Sequence, residues 1–199
     1  MTSEFPLERR CFVTIGATAQ FDDLVRAVLN PAFLCALQKS GFTSLRVQYG
    51  NSNDVFTKLL AQANEDLVDE LKLDVVGFAF KESLKDDMLM ARQKPEWRAD
   101  GVVITHAGSG SILEALRVNA PIIVVPNPSL LDNHQVELAE ALEGQGYVVH
   151  ADLSNLEGAL EAVDTLHKKN QQWPPVNSGV HRRARGLVGI LDEESGYLD

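Results

Sequence analysis

Three short stretches carry residue types suited to chemistry. In the first, an apolar run ends on Thr105 and His106, and Ala107, Gly108, Ser109, Gly110 and Ser111 lead into a helical pattern containing Glu114. The first amides of a helix have no partners within it and lie at the positive end of its dipole. Ser109, Gly110 and Ser111 are therefore spaced to present N–H groups to an anion such as a phosphate. Gly108 and Gly110 let a ligand come close to the backbone. Glu114, one turn further on, falls on the same side as Gly110 and Ser111, where a carboxylate can accept hydrogen bonds from ribose hydroxyls. Gly and Ser also simply cap helices, and Glu114 alone reads equally as a solvated residue, so this stretch gains weight only in company.

Company exists. Gly16, Ala17 and Thr18 follow another apolar run, residues 11–15, and lead into Phe21, Asp22, Asp23 and Leu24. This turn can aim a second set of backbone donors at the same crevice, while Asp22 and Asp23 read as helix-start residues. In the third stretch, Pro126, Asn127 and Pro128 open a loop that reaches Asp132, Asn133, His134 and Gln135 at the start of a helix. Amide and carboxylate groups there suit a sugar, whose hydroxyls each donate and accept; an N-cap by Asp132 is the plainer alternative. His106 and His134 are the candidates for a general base. A strand-end histidine such as His106 more commonly holds backbone. His134 has the better position, with a surface helix residue as its other reading.

The elements that position these stretches alternate along the chain. Residues 11–15, 44–49, 73–77, 101–105, 121–125 and 147–150 read as strands, and 21–39, 82–92, 109–118, 133–143 and 155–168 as helices, with one more through Leu59 and Leu60. Pro31 is expected to break or restart the helix of residues 21–39. Strict alternation implies a mostly parallel, Rossmann-like α/β sheet covered by helices on both faces, because parallel neighbours need crossover connections. Residues 1–169 are assigned to this domain. From Asn170, through Trp173, Pro174 and Pro175, a linker is expected, then a tail whose Leu187, Val188, Ile190 and Leu191 form one apolar stripe. A stripe that short makes no core alone, so the tail is expected to dock on the domain or on a partner. Residues 92–100 are longer than a minimal connection and receive no function.

With 199 residues, of which 45% are apolar, the chain can bury a core of ordinary domain size. A net charge of −10 argues against non-specific nucleic-acid binding, which needs a basic surface. Cys11 and Cys35 have no metal-type spacing and make no disulfide scaffold, so an intracellular chain is expected. Neither an apolar leader nor a membrane-spanning run is apparent, so any membrane contact is expected to be indirect. A nicotinamide-dependent oxidoreductase is disfavoured: Gly16 to Phe21 lacks the second and third glycines of that fingerprint, and Tyr49 and Gly50 stand where the acidic residue belongs.

Taken together, these stretches resemble the catalytic subunits of the UDP-N-acetylglucosamine (UDP-GlcNAc) transferases that add the second N-acetylglucosamine in dolichol-linked oligosaccharide synthesis. They are also similar to the donor-binding half of the bacterial lipid II N-acetylglucosaminyltransferases, which have the two-domain GT-B architecture. The resemblance runs from about Phe12 to Val163. It is carried by Phe12 to Thr18, Phe78, Ala79 and Phe80 before Ser83 and Leu84, His106 to Glu114, and Asp132 to Gln135 with Glu137 to Ala139. It implies that Gly16, Ala17 and Thr18, and Ser109, Gly110 and Ser111, face a pyrophosphate, with His106 and Gly108 in the same substrate-binding run. It further implies that the backbone of Phe78 to Phe80 meets uracil, that Glu114 holds ribose, and that Asn133, His134 and Gln135 border the sugar. Ala17 and Ala19 replace residues that are often threonine or glycine, leaving fewer hydroxyls in the first turn. No cofactor and no metal are implied. A membrane-anchored subunit would supply the acceptor half, a lipid-linked GlcNAc diphosphate would be the acceptor, and the cytosolic face of the endoplasmic reticulum would be the place of work. A non-catalytic nucleotide-sugar-binding or regulatory protein of the same fold is the alternative.

Overall fold

Strand β1 (Arg10–Thr14) alternates its side chains across a sheet that is buried on both sides, sending Cys11 and Val13 into one apolar cluster and Phe12 into another. The computed structural model describes residues 7–66, 68–130 and 134–172. After β1 come α1 (Asp22–Val28), α2 (Pro31–Lys39), β2 (Ser44–Gln48), α3 (Asn53–Asp66), α4 (Val68–Leu71), β3 (Asp74–Phe78) and α5 (Lys85–Leu89). The second half holds β4 (Val102–His106), α6 (Ser109–Arg117), β5 (Ile122–Val125), α7 (His134–Gly144), β6 (Val149–His150) and α8 (Leu156–Gln172).

The strands lie in the order β3-β2-β1-β4-β5-β6 and every pairing is parallel, as the alternating pattern requires. Winding reverses between β1 and β4, which opens a crevice at the carboxyl ends of those two strands. One face packs Val13, Leu45, Val47 and Ile104 against α1, α2, α3 and α8, with Leu24, Leu34, Phe56 and Leu160 as contacts. The other packs Phe12, Val103, Ile122 and Val124 against α5, α6 and α7 through Met88, Ile112 and Leu142. Burying a side chain of this size contributes roughly 1.5–3 kcal/mol, so these two clusters hold the helices firmly on the sheet.

Pro31 does restart the helix. Asn30 accepts a hydrogen bond from the Ala32 amide at 2.9 Å, and Pro31 takes the first helical position, where no N–H is needed. The helix expected over residues 82–92 is shorter. Before it, the Ser83 hydroxyl takes the Lys85 amide; after it, the amides of Ala91 and Arg92 reach back only three residues, to Met88 and Leu89. The released segment folds into a turn in which Lys94 and Arg98 exchange backbone hydrogen bonds, and Glu8 bonds to Trp97 and Ala99. Residues 92–100 thus brace the entry to β1. Helix α8 runs on to Gln172, so residues 170–172 are helical although the sequence reads as linker from Asn170; no proline interrupts the helix before Pro174. The expected docking segment from Trp173 onward lies outside the described residues, as do Asp132 and Asn133. Among the described residues no helix is long and apolar enough to cross a membrane.

Candidate functional site

The loops that leave β1 to β5 are tied together at the carboxyl edge. Thr14 stands opposite Gln48 in β2 and Thr105 in β4, so the Gly16 turn and the Gly108 turn leave adjacent strands side by side. Tyr49 and Gly50 donate their amides to the carbonyls of Phe78 and Ala79, joining the second loop to the third. The Gln20 side chain donates to the Asn51 carbonyl at 3.3 Å, and the buried Asn127 donates to the Gln20 carbonyl at 3.1 Å, bringing in the loop after β5.

His106 is the wedge between the two glycine turns. A Cβ placed on Gly16 would lie 2.4 Å from its Cε1, and one on Gly108 would lie 2.2 Å from its Nε2. Both glycines therefore approach the same edge of one ring. Gly16 also has φ +79°, a left-handed conformation that other residues adopt only at a cost. Burial lowers the pKa of His106, with the nearby Thr14 carbonyl opposing weakly. That carbonyl makes no ordinary hydrogen bond to the ring: buried Nδ1 has no partner among the described residues. The imidazole is thus neutral at physiological pH and acts as a spacer that holds the turns apart.

A cleft of about 120 Å³ opens here, lined by Gly16, Ala17, Gln48, Phe80, Lys81, Leu84 and Ser111. It brings the first turn, the third loop and the start of α6 to one place. Gly108 occupies the N-cap position of α6, and the helix begins at Ser109. Among the described residues, no atom outside its own helix backbone lies within 4 Å of a Cβ placed on Gly110. Packing therefore does not explain a glycine there, although glycine inside a helix costs about 0.5–1 kcal/mol relative to alanine; open space above the first-turn amides suits an approaching anion. A larger hollow of about 180 Å³ lies at the opposite end of the sheet, among Leu116, Tyr147, Val163 and Leu166. It is far from the strand ends where winding reverses.

The other predicted residues are distributed around the cleft. Thr18 is exposed in the first turn, and Glu114 is half-buried one turn into α6. The Phe78 ring lies parallel to that of Phe12 at 6.4 Å, the Ala79 carbonyl is turned inward, and Phe80 is 51% exposed at the cleft. His134 begins α7 in an exposed position, its Nδ1 3.7 Å from the Glu137 carboxylate. Gln135 accepts the Asn127 amide at 2.9 Å and so steadies the loop after β5. Of the predicted residues Gly16, Ala17, Phe80 and Ser111 line the cleft itself, whereas Thr18, Phe78, Ala79, His106, Gly108, Ser109, Gly110, Glu114, His134 and Gln135 do not.

Two site residues, Gln48 and Lys81, escaped the sequence reading, and a third, Asn127, was read only as the opening of a loop suited to a sugar. Gln48 is buried at the floor of the cleft, Asn127 pins the fifth loop, and Lys81 walls the opening. Lys81 lies 4.3 Å above the Phe78 ring and 2.7 Å from the buried Asp87 carboxylate, which Arg46 approaches equally closely from β2. The available signal was position: Gln48 is the last residue of β2, at the carboxyl edge where parallel sheets bind ligands.

Residues 10–179 match the glycosyltransferase family 28 C-terminal domain. The chain belongs to that family. It is accordingly a glycosyltransferase domain, with the Rossmann-like fold of one half of a GT-B enzyme. It is 39% identical over 199 residues to a UDP-N-acetylglucosamine transferase subunit ALG13 of Cryptococcus neoformans, covering 93% of this chain and 96% of that protein. The protein of the same description from Yarrowia lipolytica is 33% identical, with 94% and 84% covered. A solution NMR structure of ALG13 is 32% identical, with a TM-score of 0.60 over 80% of this chain and 87% of that one. MurG of Acinetobacter baumannii shares the fold at 17% identity and a TM-score of 0.50, and the match spans 42% of that longer chain.

Proposed function

We propose that this family 28 domain binds UDP-GlcNAc in the carboxyl-edge cleft and, with a membrane-anchored partner that supplies the acceptor half, transfers N-acetylglucosamine to GlcNAc-diphosphodolichol at the cytosolic face of the endoplasmic reticulum. The reading is carried by the convergence of the Gly16 turn and the α6 start on one edge of His106, beside a cleft that also contains Phe80. The description of the relatives as UDP-N-acetylglucosamine transferase subunits adds the sugar nucleotide and the need for a partner.

In this reading the diphosphate rests on the amides of Ser109, Gly110 and Ser111 with Gly16, Ala17 and Thr18 opposite. The uracil meets the Phe78 to Phe80 turn, and Glu114 accepts from the ribose. His106 and Gly108 hold the two turns at the right separation, while Asn133, His134 and Gln135 border the sugar. The acceptor hydroxyl displaces UDP with inversion at the anomeric carbon. Negative charge developing on UDP is met by helix-start amides that are already oriented, which lowers the barrier without reorganisation at the moment of reaction. His134, exposed at the start of α7, is the candidate to take the hydroxyl proton.

The test is transfer of labelled N-acetylglucosamine to a lipid-diphosphate-linked GlcNAc, first by the chain alone and then with membranes supplying the partner. Activity only in the second case supports the two-subunit reading. UDP-GlcNAc binding without transfer in either case makes the chain a nucleotide-sugar-binding protein instead. In the active complex, near-normal turnover by His134→Ala removes that residue as the base.

A further inference from the structure

Gln48 makes three hydrogen bonds that join separate loops. Its Nε2 donates to the Gly16 carbonyl at 3.1 Å and to the Ala79 carbonyl at 2.8 Å, while its Oε1 accepts from the Thr14 hydroxyl at 2.6 Å. The Thr14 oxygen in turn accepts the Gly16 amide at 3.2 Å. Gln48 is 2% exposed yet lines the cleft, and both of its amide hydrogens are spent on loop carbonyls. Only a primary amide of this length offers two donors and an acceptor at that reach. A carboxylate would face two carbonyl oxygens without a proton to give.

From this geometry we infer that Gln48 is a positioning residue that fixes the spacing between the turn at Gly16 and the turn at Ala79, and thereby selects a ligand whose anionic group and planar base are separated as in a nucleoside diphosphate. The inference rests on the donor-site reading above, which puts the diphosphate at the first turn and the base at the second. Its physical basis is linkage. Two weak contacts on one linked ligand reinforce each other most when the protein holds their sites at a separation the ligand favours. Each carbonyl belongs to a backbone whose next groups face the cleft, so the side chain sets the span without touching the ligand's reacting atoms.

Titrations of the full chain with uridine, inorganic pyrophosphate and UDP test this, in the wild type and in Gln48→Met, which keeps the length and apolar bulk but removes all three hydrogen bonds. The expected result is a fall of about tenfold or more in UDP affinity, with uridine and pyrophosphate each changed by less than about twofold, because only the linked ligand senses the spacing. With saturating acceptor and partner, KM for the donor should rise while kcat changes less. Thr14→Val, which removes the hydroxyl that orients Gln48, should show the same selective loss at smaller size and serves if Gln48→Met does not fold. Equal loss for all three ligands, or none, overturns the inference while leaving the donor site standing, provided that the wild type binds UDP. A wild type that fails to bind UDP overturns both.

Discussion

The contact of His106 with two glycines can be turned into numbers. Gly108 has φ −87°, which alanine adopts freely, so the cost of Gly108→Ala is the clash of its new methyl with the ring, 2.2 Å from Nε2. Overpacking of this kind costs about 1–3 kcal/mol, offset by roughly 0.4–1 kcal/mol because alanine restricts the unfolded chain. Gly16→Ala meets the same ring and must also hold φ +79°, which adds about 1–2 kcal/mol. Gly16→Ala should therefore be the more destabilising by about that amount. Urea unfolding in a His106→Ala background separates the two contributions. Without the ring, Gly108→Ala should become neutral or stabilising by a few tenths of a kcal/mol to about 1, whereas Gly16→Ala should keep a cost of about 1 kcal/mol from its backbone alone. Single-mutant costs that carry over unchanged into the His106→Ala background would refute the wedge, since the glycines would then be required by something other than the ring.

Because burial lowers the His106 pKa, the unfolded chain binds a proton there more readily than the folded one, so the stability tied to this ring is present above about pH 6.5 and is lost as pH falls through the lower folded value. The urea midpoint should accordingly fall more between pH 7.5 and pH 5.5 in the wild type than in His106→Gln, and equal falls would contradict it. Cys11 is wholly buried and its thiol is pushed far up by burial, whereas Cys35 is half-buried. A maleimide should therefore label Cys35 in the native chain and reach Cys11 only on unfolding, with labelling of Cys11 at the Cys35 rate as the contrary outcome. Asp87→Ala leaves Arg46 and Lys81 without their shared carboxylate and frees the Phe78 ring beneath them. Both cations reach water, so a loss of about 1–3 kcal/mol in chemical unfolding is expected, and no loss would mean that the pair of bridges contributes nothing.

Periodicity and turn chemistry, both local properties, determined a great deal. Apolar strands alternating with helices dictate a parallel sheet, Pro31 dictates a helix restart, and a Gly-Ser run after a buried strand dictates amides at a helix start. The run from His106 to Glu114 was legible for that reason, and the identity of its residues carried the resemblance to the UDP-GlcNAc transferase subunits. Strand order is not local, however, because it depends on which apolar faces find one another; only the fold decided that β1 and β4 are neighbours and that their two turns share one cleft. It alone also determined that Gly16 and Gly108 are required by the same imidazole while no other described residue crowds Gly110. Gln48, Asn127 and Asp87 look like ordinary polar residues in the sequence. Their roles arise from partners 31, 107 and 41 positions away, numbers that follow from pairing with Ala79, Gln20 and Arg46 and that no local pattern encodes.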